Sequence, residues 1–163
     1  MTSEEEINRL ILLEARLIDE WKLNAWLELF TDDAIYWLPM DEDADPKVTA
    51  SVLYDDLRIL RARVHQMLVE IRIAQTPRSE TLHLVTNVEI DVLDNDRAAV
   101  GYNLVVLELR TGDWRQKGLG NERLFAGRCA MQLQKTNMNW KIKEKRILLM
   151  NRHQPIEGLS FIL

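Results

Sequence analysis

The spacing of the apolar residues changes once along this chain, from a helical period to a strand period, near residue 77. Before that point apolar residues recur three and four positions apart, as in Ile7, Leu10, Ile11, Leu17, Ile18 and Trp21. After it they alternate with polar residues, as in Leu82, Leu84, Val88, Ile90 and Val92. Helices that precede a run of strands segregate in space. The pattern therefore predicts an α+β fold, with the helices packed on one face of a strongly curved antiparallel sheet.

Most of the first half of the chain, from about residue 3 to residue 73, is predicted to be helical. The S-x-x-E spacing of Ser3 and Glu6 predicts a capping box at the start of a first helix that runs to about residue 22. A shorter helix with an aromatic face follows, and then a short strand near 34–38 that Pro39 ends. The third helix is predicted from about residue 55 to residue 73, with a buried stripe of Leu57, Leu60, Val64, Leu68 and Ile71.

Long antiparallel strands are predicted between about 81 and 150, at 81–92, 97–110, 122–135 and 140–150, with a loop at 111–121. The segment 155–163 ends on an apolar run that includes Phe161, and such a run is unfavourable in water. We therefore expect a docked tail, packed onto the fold or into a subunit boundary, with Phe161 as its anchor. The whole of 1–163 is predicted to be a single domain.

Charge and composition restrict the class of function. The 163 residues carry a net charge of −5, so the chain lacks the concentrated basic face that nucleic-acid binding needs. No apolar run approaches the ~20 residues that cross a bilayer, and the acidic first residues differ from a secretory leader. The single cysteine excludes an internal disulfide framework. We expect a cytoplasmic protein that binds neither nucleic acid nor membrane.

One carboxylate lies where an apolar side chain is expected. Glu14 falls on the apolar stripe of the first helix, between Ile11 and Ile18. Because a buried carboxylate needs a partner or a shifted pKa, we expect Glu14 to form an ion pair with an arginine such as Arg63 or Arg128. Acid–base catalysis is the alternative role for this side chain.

Other reactive side chains have structural interpretations. His83 falls on the polar face of its strand, which predicts a surface or interface histidine. Cys129 alternates with Met131 and Leu133 and is expected to be a small core residue. The solvent-facing side of the last strand is expected to carry a short basic cluster of Lys141, Lys143, Lys145 and Arg146.

A set of short motifs, in a fixed order, resembles a known family. The chain carries Leu29-Phe30-Thr31-Asp32-Asp33-Ala34 before an aromatic strand, which is similar to the start of the cone-shaped, cystatin-like barrels of ketosteroid isomerase and scytalone dehydratase. Within that group the motif order resembles the small (beta) subunit of aromatic ring-hydroxylating dioxygenases. The matching pieces are Glu14, Asp19-Glu20, Trp26-Leu27-x-Leu29-Phe30, Tyr36-Trp37-x-Pro39, Tyr54-Asp55-Asp56, Leu82-His83-Leu84-Val85-Thr86-Asn87, Phe125-Ala126-Gly127-Arg128, Trp140-Lys141-Ile142 and Leu159-Ser160-Phe161.

The resemblance implies a structural small subunit whose partner is the catalytic large (alpha) subunit. That partner is expected to hold a Rieske [2Fe–2S] cluster and a mononuclear iron, and to select the aromatic substrate. A Rieske centre needs two Cys and two His, whereas this chain has Cys129 alone and three scattered histidines, so no cofactor or metal is expected here. The resemblance also implies three small subunits around a threefold axis within an α3β3 hexamer. Family members often carry extra arginines before the first long strand, where this chain has only Arg78.

A second function from another class stays open at this stage. The chain would be an isomerase or dehydratase of the ketosteroid isomerase kind if a polar dyad such as Asp33 with His83, near Tyr36, converged in the cone. A scaffold would leave the cone apolar, narrow or filled. For the scaffold, aromatic residues and arginine are the expected interface and structural side chains, and the candidates are Trp26, Tyr36, Trp37, Tyr54, Arg128, Trp140 and Phe161.

Overall fold

The computed structural model describes residues 2–69, 77–110, 120–156, 159 and 161–163. Its helices are α1 (Ser3–Asp19), α2 (Leu23–Leu27) and α3 (Leu57–Val69). Its strands are β1 (Phe30–Pro39), β2 (Ser51–Asp56), β3 (Glu80–Val92), β4 (Arg97–Leu109), β5 (Glu122–Thr136) and β6 (Asn139–Leu149). No helix in these ranges combines the length and the apolar character needed to cross a membrane.

The six strands form one curved sheet in the order β2-β1-β6-β5-β4-β3. Every neighbouring pair is antiparallel except β1 and β6, which run parallel, with Phe30 opposite Ile142 and Trp37 opposite Arg146. The strand that follows α2 thus joins the last strand of the meander, and α1 packs across to β3 and β6. This confirms the predicted α+β fold with the helices on one face of the sheet.

Helix α1 starts and ends earlier than predicted. Thr2 is its N-cap: the Glu5 backbone N–H donates to Thr2 Oγ1 at 3.3 Å, and the Thr2 N–H donates to Glu5 Oε2 at 2.9 Å. The capping box predicted for Ser3 and Glu6 is therefore wrong by one residue, because threonine caps a helix as serine does. The helix ends at Asp19 rather than residue 22, since Trp21 adopts a left-handed conformation with φ 56°.

The segment between α2 and α3 contains more strand than predicted. Strand β1 is ten residues long, instead of the five expected near 34–38, and β2 was not predicted. The two strands pair up to an irregularity at Pro39, and α3 begins two residues after the predicted start. Leu68, expected in the core, is 41% exposed. The predicted end of this helix, including Ile71, lies outside the described residues.

Strand β3 faces the opposite way from the prediction over its first half. His83 is buried, whereas Leu82 and Leu84 are exposed. The cause is a bulge: the pairing with β4 shifts between Thr86 and Glu89, and Asn87 has φ 53°. One extra residue in a strand reverses the alternation on one side of it, so a single alternating pattern could not hold along the whole strand.

The remaining strands match the predicted ranges within one or two residues. Their alternation is regular, and the inner face of β4, β5 and β6 forms the core together with α1 and β1. Cys129 is in this core, as predicted. The tight turn between β5 and β6 places Asn137 and Met138 at positive φ. Residues 111–119 of the predicted loop at 111–121 lie outside the described residues.

Candidate functional site

The interior of the cone holds a buried polar cluster made by four elements of the chain. Lys145 on β6 donates from Nζ to Glu14 Oε1 on α1 at 2.6 Å, and to the backbone oxygen of Leu163 at 3.1 Å. Trp26 Nε1 on α2 donates to the same Glu14 oxygen at 3.1 Å. Tyr36 on β1 donates its hydroxyl to the Leu163 oxygen at 2.6 Å. Each donor is thus satisfied within the chain, as buried polar groups require.

Burial keeps the hydroxyl and thiol groups around this cluster protonated. Burial, together with the Glu14 carboxylate and the Cys129 thiol, raises the pKa of Tyr36 well above its ordinary value. Burial also raises the pKa of Tyr102 and brings that of Cys129 to about 12. A nucleophile or general base needs a pKa near the working pH. These three side chains therefore act as neutral groups in the core.

The end of the described chain fills the cone from within. Phe161, Ile162 and Leu163 are all buried, and the rings of Phe161 and Phe125 pack edge to face, with centroids 5.4 Å apart and planes 70° apart. These three residues are packed in the core, and the docking of the whole segment 155–163 with Phe161 as its anchor stays a prediction. Residues 157, 158 and 160 of the same segment lie outside the described residues. The inner side of the sheet beside Phe125 is thus covered by the chain's own side chains.

Glu14 is buried as predicted, but its partner is not an arginine. Arg63 instead binds Asp55, with Nε 2.8 Å from Oδ2, and Arg128 lies exposed on the other face of the sheet. The partner, Lys145, was predicted to face solvent and is fully buried. The signal was present in the sequence, since Lys145 alternates with Ile147 and Leu149 on the inward face of β6.

The predicted dyad of Asp33 and His83 does not form. The Asp33 side chain is 66% exposed, accepts a hydrogen bond from Thr31 at 2.8 Å and lies 3.5 Å from Lys143. The His83 side chain is 1% exposed and pairs with Asp19. Tyr36 does point into the cone, but its hydroxyl is occupied by Leu163. The three residues named for the enzyme alternative thus have separate partners.

His83 fastens strand β3 to the end of α1. Its Nδ1 lies 2.6 Å from Asp19 Oδ1, its backbone N–H donates to Asp19 Oδ2 at 3.0 Å, and Thr81 donates to Asp19 Oδ1 at 3.0 Å. Burial opposes ionisation of Asp19, but these hydrogen bonds outweigh it and hold the pKa of Asp19 below its ordinary value. The prediction that His83 lies on the polar face of its strand, as a surface or interface histidine, is wrong in its placement, because the bulge at Asn87 turns this side chain inward. The pair is a structural clamp.

The described residues do not fit an iron or Rieske centre. They contain no group of three or more His, Cys, Asp or Glu side chains placed to hold a metal ion. His153 lies near Asp41, His83 pairs with Asp19, and Cys129 is buried with an almost permanently protonated thiol. A Rieske centre needs two cysteine and two histidine ligands at one place, and this chain has one cysteine.

The interface candidates fall into two groups by exposure. Trp26, Tyr36, Trp37, Trp140 and Phe161 are buried in this chain. Tyr54 and Arg128 are exposed. Tyr54 packs edge-on against the Trp37 ring at the β1–β2 edge of the sheet, with centroids 5.9 Å apart. Their role in an interface stays a prediction.

The outer face of the sheet carries a block of exposed and half-buried apolar side chains that the prediction had placed inside or left unassigned. The register aligns Leu82 on β3 with Leu107 on β4 and Leu124 on β5, and Leu84 with Val105 and Ala126. Two members are widely exposed, Leu124 at 61% and the nearby Met150 at 78%. We call this block the outer apolar face: Leu82, Leu84, Val105, Leu107, Leu124, Ala126, Leu148 and Met150. Contiguous exposed apolar surface of this kind marks interaction sites.

The sequence matches a known protein family over most of its length. The family described as "Ring hydroxylating beta subunit" matches residues 13–154. The small oxygenase component of the p-cumate 2,3-dioxygenase system of Pseudomonas putida is 31% identical, over 99% of this chain and 87% of that protein.

Solved structures support the fold assignment. The beta subunit of benzoate 1,2-dioxygenase from Burkholderia mallei superposes with a TM-score of 0.76 at 23% identity, covering 99% of both chains. A scytalone dehydratase-like protein of Novosphingobium aromaticivorans superposes with a TM-score of 0.66 at 15% identity, over 90% of this chain and 83% of that one. Both likenesses concern the fold alone, and they confirm the cone architecture. The family match over residues 13–154 and the full-length relative together show that this chain belongs to the beta subunit family of ring-hydroxylating dioxygenases.

Proposed function

We propose that this chain is a structural, non-catalytic small subunit of an aromatic ring-hydroxylating dioxygenase. It supports assembly of the large subunit that dihydroxylates aromatic compounds during their catabolism. The observation that carries the proposal is the contrast between the two faces of the sheet. The inner face is filled by the chain's own Phe161, Ile162 and Leu163, whereas the outer face presents uncovered leucines. A protein built in this way has its apolar surface directed at a partner.

The proposal extends to the composition of the complex. Three small subunits pack around a threefold axis, three large subunits complete an α3β3 hexamer, and the complex works in the cytoplasm. The Rieske [2Fe–2S] cluster and the mononuclear iron belong to the large subunit. The ligand inventory of this chain supports that division, because one buried cysteine and separated histidines do not supply either ligand set.

The isomerase or dehydratase alternative is not favoured by the geometry. Its dyad would need Asp33 and His83 to face one open cavity. Asp33 is instead a surface carboxylate beside Lys143, and His83 is bound to Asp19. The remaining interior pair, Glu14 with Lys145, is covered by the tail.

Co-expression with a Rieske-type large subunit of the same dioxygenase class tests the proposal. Light scattering of the purified pair should give one complex that contains both chains in equal numbers, with the mass of a hexamer. Recovery of only the monomeric small subunit, with no complex, would refute it.

The isolated chain gives a second test. Purified alone, it should contain no stoichiometric iron and should not oxidise an aromatic ring. The contrary result would be bound iron with an absorption band that disappears when His83 or His65 is substituted.

A further inference from the structure

Leu163 places its backbone oxygen between two donors of the sheet. The Tyr36 hydroxyl donates to this oxygen at 2.6 Å, and Lys145 Nζ donates to it at 3.1 Å. Tyr36 on β1 and Lys145 on β6 lie opposite each other in the parallel pairing of these strands, and both are buried. We call these two residues the donor pair. Two fixed donors that converge on one oxygen are the arrangement with which proteins hold a carbonyl-type oxygen.

The donor pair is held in position by residues outside the tail. Lys145 Nζ also donates to Glu14 Oε1 at 2.6 Å, and the rings of Tyr36 and Trp26 pack edge to face with centroids 6.0 Å apart. Burial, together with the Glu14 carboxylate, raises the pKa of Tyr36, so its hydroxyl keeps the proton that it donates. Because these contacts do not involve Leu163, the donor pair is available to another acceptor when the tail leaves.

A third donor of the interior has no strong partner. Tyr102 is 4% exposed, and no nitrogen or oxygen atom in the described part of the chain is hydrogen-bonded to its hydroxyl. Its neighbour is the Cys129 thiol, which is a weak acceptor. Tyr102 lies opposite Cys129, which in turn lies opposite Ile147, the next inward residue after Lys145 on β6. Because buried hydroxyls are nearly always hydrogen-bonded, the interior has donor capacity that the chain does not use.

The tail is attached to the core by side-chain packing rather than by strand pairing. Among the described residues, no backbone–backbone hydrogen bond involves 161–163, and the hydrogen bonds of this segment are the two that Leu163 accepts from the donor pair. Phe161 and Ile162 are held by the burial of their apolar side chains. A segment without ladder hydrogen bonds opens at a lower free-energy cost than a paired strand. The residues 161–163 can therefore leave the core without breaking the sheet.

We propose that the donor pair is a binding site for a small apolar molecule that carries a carbonyl-type oxygen, in a ketone or in a carboxylate, and that Leu163 is the built-in occupant of this site. The oxygen of the ligand takes the place of the Leu163 oxygen, and its apolar part takes the place of buried tail side chains. Ligand and tail exclude each other, because both need the donor pair. The inference goes beyond the proposed function, since neither the large subunit nor a reaction takes part in it.

Titration of the full-length chain with three probes of similar size tests the inference. Acetophenone supplies a ketone oxygen and benzoate supplies carboxylate oxygens, whereas ethylbenzene has the same ring and no oxygen. The indole N–H resonance of Trp26 reports binding, since Trp26 Nε1 donates to the same Glu14 oxygen as Lys145, at 3.1 Å. The indole resonance of Trp37, which donates to Ser51 Oγ at 2.9 Å, is the reference and should not shift.

Loosening the tail should strengthen binding. Phe161→Ala removes the ring that packs against Phe125, so the donor pair is open in a larger fraction of molecules, and acetophenone or benzoate should bind at least about tenfold more tightly than to the wild type. Ethylbenzene should bind this variant at least about tenfold more weakly than the better oxygen-bearing probe, because it cannot use the donor pair. If circular dichroism shows that Phe161→Ala does not fold, the probes are compared in Ile162→Val, a smaller truncation of the tail.

Removal of one donor distinguishes this site from a simple apolar cavity. Tyr36→Phe, added to the tail variant, should abolish the preference for the oxygen-bearing probes and leave the binding of ethylbenzene unchanged. Tyr54→Phe is the matched control, because it deletes the same group from an exposed tyrosine and should preserve the preference.

The outcomes decide the inference without reference to the large subunit. A preference for an oxygen-bearing probe that depends on Tyr36 would support the site, and the tighter of acetophenone and benzoate would identify the acceptor as a ketone or a carboxylate. Equal affinities for ethylbenzene and the oxygen-bearing probes, a preference that survives Tyr36→Phe, or a Trp26 resonance unchanged by all three probes would refute it. The proposed function is tested by complex formation, which does not enter these measurements.

Discussion

Lys145 Nζ lies 2.6 Å from Glu14 Oε1, and both side chains are almost entirely out of contact with solvent. This ion pair joins the first helix to the last strand through the middle of the core. Trp26 and the backbone oxygen of Leu163 complete its hydrogen bonds. A buried pair of this kind adds little net stability relative to an apolar core, but removal of one member leaves an uncompensated charge.

We predict that Lys145→Met lowers the free energy of unfolding by about 3–5 kcal/mol, because it leaves the Glu14 carboxylate buried without its cation. Adding Glu14→Gln to this variant should recover much of the loss. Urea unfolding followed by circular dichroism measures both effects. Lys143→Met is the control, since Lys143 is exposed on the same strand. Equal losses in the Lys143 and Lys145 variants would contradict the buried role.

The tail should contribute directly to stability. Phe161→Ala is expected to cost about 3–5 kcal/mol, because it removes a buried ring and its edge contact with Phe125. Deleting residues 159–163 should lower the melting temperature further or loosen the oligomer, with the helices still formed. Met138→Ala, at an exposed turn, serves as the control in thermal unfolding. An unchanged melting temperature and unchanged assembly after the deletion would show that the tail contributes to neither stability nor assembly.

Two glycines on the sheet should respond in opposite ways to the same substitution. A Cβ at Gly127 would lie 2.5 Å from the backbone oxygen of Leu148, whereas one at Gly101 would meet no atom within 4 Å. We expect Gly127→Ala to cost about 1–3 kcal/mol, because the backbones of β5 and β6 would have to separate. Gly101→Ala should be neutral or slightly stabilising, since alanine loses less entropy in a strand. Similar unfolding free energies for the two variants would refute this reading.

The clamp between Asp19 and His83 predicts a stability that depends on pH. The folded-state pKa of Asp19 is below its ordinary value of 3.8, so its contribution is present above pH 3.8 and is lost as the pH falls through the folded pKa. Asp19→Asn should therefore be less stable than the wild type near neutral pH, and the difference should shrink below pH 3.8. Asp91→Asn, an exposed change on β3, the strand that carries His83, is the control. If the difference in unfolding free energy between the wild type and Asp19→Asn did not change as the pH fell below 3.8, the clamp would be contradicted.

The sequence predicted the fold because its strongest signals are local. The period of three to four in α1 and the period of two in β5 report which side of each element faces the core, and both readings agree with the structure. The burial of Glu14 and Cys129 followed from the same periodicity. These features depend on neighbours within one element, so a single sequence contains them.

The partners of these residues could not be predicted in the same way. Glu14 meets Lys145 because helix α1 packs against β6, a contact between segments more than a hundred residues apart. The side of the sheet that His83 faces depends on one extra residue in β3 near Asn87. This bulge is visible in the structure, where Asn87 has a left-handed backbone conformation, but the residue pattern does not predict it. The outer apolar face was missed for the same reason, since Leu82 and Leu84 follow the reversed alternation.

The parallel pairing of β1 with β6 has a consequence for how the chain folds. β1 and β2 pair early in the sequence, but they are joined to the rest of the sheet only through β6, which lies about a hundred residues later in the chain. Contacts between such distant segments slow folding, because a long loop must close before they form. During that interval the leucines of the outer face and the open edge of β6 are both uncovered. We therefore expect the chain to need chaperones, or an abundant assembly partner, to be recovered in high yield.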